Sequence, residues 1–189
     1  MTLSIIDVPL VGVNNTEMKN QSVGGCSAMR EEDSMKMEQL RIREQIKLAF
    51  KCAAPPEASQ IVASSYPEPL QIRGFFKGRN WWDVTLDILV DEYVGDASAC
   101  LSFMAPVGMR YYLPAYLLIA CEQYDEGDVI SKELPSRLLM YARDNDLYKI
   151  KCMDDAKQAA VAQVLEFLVQ AYDDEDAYEA LEFFWGRFL

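Results

Sequence analysis

The chain contains no histidine. That absence removes Ser-His-Asp and Cys-His nucleophile pairs, Cys-His zinc sites and the usual general base near neutral pH, leaving carboxylate or lysine chemistry open. The five cysteines, Cys26, Cys52, Cys100, Cys121 and Cys152, contain no Cys-x-x-Cys pair. Odd in number, widely spaced and set among apolar neighbours, they fit reduced thiols used as small hydrophobes. There is no phosphate-binding glycine loop and no EF-hand glycine, so no cofactor or metal is expected. Long apolar runs are lacking too. Residues 113–121 and 161–169 are the longest, well below the roughly 20 residues that a bilayer-spanning helix needs. The first residues, Met1-Thr-Leu-Ser-Ile-Ile-Asp-Val-Pro, have no basic start, and Asp7 and Pro9 break the apolar stretch. A secretory signal is therefore not expected, and a cytoplasmic location is.

Positive charge is also scarce, with 18 Lys and Arg against 30 Asp and Glu and a net charge of -12. Direct nucleic-acid binding and docking on anionic lipid both need the opposite sign. A basic partner protein is the natural complement, although solubility alone accounts for such a charge equally well. The imbalance is local. Residues 34–51 hold five bases against two acids, whereas the chain after residue 51 holds 23 acids against 11 bases.

What is present is apolar surface, 51% of residues, enough for one core without staples. Residues 1–33 read as a flexible leader, polar and aperiodic from about Val13, and residues 34–189 as one compact all-α domain of about eight helices. Ser34 is expected to cap a first helix buried through Met35, Gln39, Ile42, Ile46, Ala49 and Phe50, which Pro55-Pro56 ends. Ala58–Ser65 predicts a short helix closed by Tyr66-Pro-Glu-Pro, and Leu70–Gly78 a loop or single turn. A helix from Trp81 to Tyr93, capped by Asn80, is expected next, then a turn at Ala97–Phe103. Pro106 and Pro114 read as the starts of two helices with a break near Tyr112, because proline costs about 3 kcal/mol in a helix interior. The acidic turn Asp125-Glu-Gly-Asp128 ends the second. Two short helices divided at Pro135 and a polar loop follow. Asp154 then caps a strong helix with Val161, Val164, Leu165, Leu168 and Tyr172 on one face, and a last helix begins in Asp173-Asp-Glu-Asp176.

The segment Phe103-Met-Ala-Pro-Val-Gly-Met-Arg-Tyr-Tyr-Leu-Pro-Ala-Tyr-Leu-Leu resembles an uncharacterised bacterial family of unknown function centred on Phe-x-x-Pro and Tyr-Tyr-Leu-Pro-Ala-Tyr-Leu-Leu. The resemblance extends through Ile46 to Phe50, Phe76-Lys-Gly-Arg-Asn-Trp81, Gln158 with Phe167-Leu168, and Ala180-Leu-Glu-Phe-Phe-Trp185, covering residues 38–186. It carries over no activity and no site residue. Small acidic bacterial proteins of this type often accompany toxins as immunity proteins, which is the kind of partner the resemblance implies.

Two candidate sites remain. Asp173, Asp174, Glu175 and Asp176, with Asp144 and Asp146, form an expected acidic surface for a basic protein, either a toxin or a nucleic-acid-binding protein. The plainer reading makes the same run a helix N-terminus and loop. The expected function is thus non-enzymatic inhibition or neutralisation of a basic partner. The alternative is a small-ligand or enzymatic pocket lined by Arg110, Tyr111, Tyr112, Tyr116 and Trp81, against which stands ordinary packing of the rings and pairing of the arginine. Asp83, Asp87 and Asp91, at helical spacing, read as a solvated stripe rather than a metal site.

Overall fold

A computed structural model describes residues 24–51 and 54–189, with side chains from Glu32 onward in those stretches. The chain divides into two units, residues 1–34 and 35–189, and apart from residues 24–34 the features below belong to the second. Most of the expected leader lies outside the described residues. All regular structure among the described residues is helical: the protein is all-α.

The first helix, α1 (Gly24–Ala49), starts before Ser34, which sits inside it rather than capping it. Its expected apolar face is real from Ile42 onward, with Ile42 and Ile46 fully buried and Phe50 closing the stripe. After α2 (Ala58–Ile61) the expectation fails. The pair Pro67 and Pro69, read as a terminator, instead opens α3 (Pro67–Phe76). Proline needs no amide donor in a first turn, so the same residues can close one helix or begin another. Gly78, at φ 77°, then reverses the chain. The predicted helix over 81–93 is split into a 3-10 turn at Trp81–Asp83 and α4 (Leu86–Glu92), with Thr85 accepting from the Ile88 amide. Asn80 donates to the Asp83 carboxylate at 2.9 Å instead of capping the backbone. The break takes Asp83 off the row of Asp87 and Asp91.

A one-turn α5 (Cys100–Phe103) leads to α6 (Pro106–Glu122), the central element. The predicted break near Tyr112 is absent, and Pro114 lies inside one continuous helix. The lost hydrogen bond and ring clash cost about 3 kcal/mol. Burial offsets them: Met109, Tyr112, Leu113 and Leu117 are all fully enclosed, and a buried side chain of this size contributes about 1.5–3 kcal/mol. Tyr112 and Tyr116 keep their phenols satisfied by donating to the Phe76 and Ala97 carbonyls at 2.7 and 2.9 Å. Gly108 lets α6 rest directly on α2, because a Cβ there would meet Ile61 Cα at 2.7 Å.

The remaining helices are α7 (Val129–Lys132), α8 (Leu134–Arg143), α9 (Asn145–Tyr148), α10 (Asp155–Tyr172) and α11 (Glu175–Phe183), with 3-10 turns at Ile150–Cys152 and Trp185–Phe188. Pro135 stands in the first turn of α8 as expected, and α9 begins at Asn145, where the expected polar loop ends. Asp154 caps α10 by accepting from the Lys157 amide at 3.0 Å. Val161, Val164, Leu165 and Leu168 form its fully buried face. α10 packs on α6 and α11, and α11 on α8. Trp185 anchors the chain end, its indole donating to the Leu138 carbonyl at 3.2 Å. No described helix is long and apolar enough to cross a membrane.

Candidate functional site

Two acidic turns meet at one corner. α6 ends at Glu122 and is followed by Tyr124, Asp125 and Glu126; α10 ends at Tyr172 and is followed by Asp173–Asp176. The rings of Tyr124 and Tyr172 stack with centroids 4.0 Å apart and planes 15° from parallel. Tyr124 also donates to Asp174 Oδ2 at 2.6 Å. Burial raises the affinity of both phenols for their protons, and nearby carboxylates add to it: Asp174 and Asp125 at Tyr124, Asp125 and Glu126 at Tyr172. Both turns thus bring acids within electrostatic reach of one stacked pair.

The predicted acids divide in role. Asp174 is buried and accepts from the Ala177 amide at 2.8 Å, so it caps α11 and ties down Tyr124 rather than facing a partner. Asp173, Glu175 and Asp176 are exposed. Partial burial, with Asp174, Glu179 and Glu175 nearby, raises the Asp176 carboxyl above the ordinary aspartate value. Asp144 and Asp146 are exposed on and beside α9, Asp146 lies 3.7 Å from Lys149, and among the described residues no hydrogen bond or ion pair joins either to the 173–176 run. α8 ends near them with Arg143 bound to Glu179 and set over the Phe183 ring, in the later part of α11. The acids set at the tyrosine stack from the other turn are Asp125 and Glu126. Sequence reasoning assigned them only to a helix end, and nothing short of the α6–α10 packing links them to residue 173. Asp125, Glu126, Asp173, Glu175 and Asp176 are exposed, and none has an ion-pair partner among the described residues.

The alternative pocket is only partly assembled. Tyr112 and Tyr116 are core residues, but Arg110, Tyr111 and Trp81 line a cleft of about 370 Å³ with Phe50, Lys51 and Lys157. Arg110 has no carboxylate partner among the described residues and donates to the Lys149 carbonyl at 3.3 Å. Among the described residues no three Cys, Asp or Glu side chains gather as metal ligands.

No curated protein sequence and no solved structure matches the chain. Residues 58–188, more than half of it, match the model of a family of unknown function (DUF6714). Both acidic turns lie within that match, whereas Phe50 and Lys51 precede it.

Proposed function

The chain belongs to this family of unknown function, so its role must be read from its own surface, and we propose that it is a non-enzymatic binding protein that holds a basic partner at the acidic corner. The observation that carries this reading is the meeting of two acidic turns at the Tyr124–Tyr172 stack, turns that expose Asp125, Glu126, Asp173, Glu175 and Asp176, none of them in an ion pair among the described residues. Aromatic rings beside a charged rim suit a protein interface, where charge steers encounter and rings supply contact area. Asp125, Glu126 and Asp173 follow the carboxyl ends of α6 and α10, where the helix dipole disfavours negative charge. Stability of those helices therefore does not explain them. An inhibitor or immunity protein acting on a cationic toxin or nucleic-acid-binding protein in a bacterial cytoplasm is the matching biological class, and the free thiols of Cys100, Cys121 and Cys152 agree with a reducing compartment.

The test compares affinity capture by the full chain with capture by a variant carrying D125N, E126Q, D173N, E175Q and D176N. Basic proteins retained by the wild type at low salt should be lost with rising salt and lost by the variant, while D144N with D146N should leave capture intact. Capture indifferent to both salt and the five substitutions would overturn the proposal.

A further inference from the structure

In a protein with a large acid surplus, a cleft among the described residues is cationic. Lys51, Arg110 and Lys157 line it, with Glu57 the one acid among its lining residues. Lys157 is engaged by Asp154. Arg110 uses one nitrogen on the Lys149 carbonyl, and among the described residues the rest of its guanidinium fork meets no acid. The apolar walls come from Phe50, Trp81 and Tyr111.

Trp81 supplies a second, independent sign. It is 4% exposed, and its indole Nε1 is buried with no hydrogen-bond partner among the described residues. A buried N–H left unmade costs about 1–3 kcal/mol, so an orphan of this kind calls for an acceptor. Trp81 stands between this cleft and a smaller one of about 230 Å³. The cations of the smaller cleft are already spent, Arg43 on Glu122 and Lys47 on Glu44. Of the two, the Arg110 side has a guanidinium without a carboxylate partner among the described residues and the greater room for a small molecule, with Trp81 in its wall.

We propose that the cleft between Arg110, Lys51 and Trp81 is a binding site for a small aromatic anion, its phosphate or carboxylate held by the two cations and its ring against Trp81 and Tyr111. The planar guanidinium suits an oxyanion, and aromatic walls suit a flat body. This inference rests on different residues from the acidic corner and stands or falls separately.

The experiment is a titration of the full chain with phenyl phosphate, with phenol and inorganic phosphate as controls, followed through the indole N–H resonances of the three tryptophans and assigned with W81F. Phenyl phosphate should shift the Trp81 signal saturably and leave that of Trp185 in place. Phenol should produce no saturable shift, and inorganic phosphate should bind more weakly than phenyl phosphate. R110Q should weaken binding about tenfold, the worth of one charge-assisted hydrogen bond. K51Q, at an exposed residue whose loss leaves the fold intact, should weaken it by a smaller factor. The five-carboxylate variant should bind phenyl phosphate as the wild type does. No saturable shift at Trp81, equal binding of phenol or of inorganic phosphate, or affinity untouched by both R110Q and K51Q would overturn the proposal.

Discussion

The two ends of α6 carry opposite charge, and each stands on the side where a helix gains least from it. Arg110 lies near the start, in the cationic cleft; Asp125 and Glu126 follow the end, in the acidic corner. The helix runs about 25 Å between its ends at 1.5 Å per residue. A helix that relied on its termini would place acids first and bases last. α6 has no acidic residue in its first turn, no base in its last and no side-chain cap at its start. Burial of its middle holds it, so neither end needs the charges that electrostatics of the helix alone would select.

The largest expected effect separates the two ends. Gly108→Ala would drive a Cβ into the backbone of Ile61 and to 3.1 Å from the carbonyl of Gln60, which lines the cleft. Backbone cannot yield as a side-chain tip can, so a loss of about 3 kcal/mol is expected. Urea denaturation should show it. Phenyl phosphate binding should fall with it, because α2 must move away from α6, while capture of basic proteins by the remaining folded molecules should persist. Loss of both activities in folded protein would show that the ends are not independent.

How much of this was legible in the sequence follows from the range of each cause. Helix α10 could be read directly, since its spacing and the Asp154 cap are local. So could Pro135 as a first-turn residue. Pro67 and Pro114 could not, for opposite reasons. Pro67 satisfies the rules of both a terminator and a starter, and Pro114 breaks a local rule that the packing of Tyr112, Leu113 and Leu117 overrides. Arg110 and Trp81 were visible as candidates, yet Tyr112 and Tyr116 in the same motif turned inward because their phenols find backbone carbonyls. The acidic corner was half visible. The 173–176 run announces itself, but its union with Asp125 and Glu126 depends on α10 lying against α6.

A middle-sized effect distinguishes the cap at each region. Asp174→Ala removes the acceptor for the Ala177 amide and for Tyr124, and should cost about 2 kcal/mol with the Tyr124–Tyr172 stack loosened. Asp154→Ala removes an exposed cap and should cost about 1 kcal/mol. Lys157, through its ammonium and then its amide, holds the Asp154 carboxyl below the ordinary aspartate range. A depressed folded value means that this contribution is complete above about pH 4 and is lost as pH falls through the lower folded value. Denaturation followed across that window should show the wild type losing stability that Asp154→Ala has already lost. The same substitution releases Lys157 beside the cleft, so phenyl phosphate should bind more tightly. Unchanged or weaker binding would remove Lys157 from the cationic side of the comparison.

The smallest effect bears on why the acids are there at all. Asp173 ends α10 at φ 53°, ψ 40°, the left-handed conformation in which glycine carries no Cβ penalty. Its charge also sits at the negative end of that helix. Asp173→Gly should therefore raise stability by about 0.5 kcal/mol in thermal or urea unfolding while weakening capture of basic proteins. An acid kept where glycine would fold better is hard to explain by folding. Were Asp173→Gly to destabilise the protein, Asp173 would join Asp174 as a structural residue, and the proposed corner would be left with Asp125, Glu126, Glu175 and Asp176.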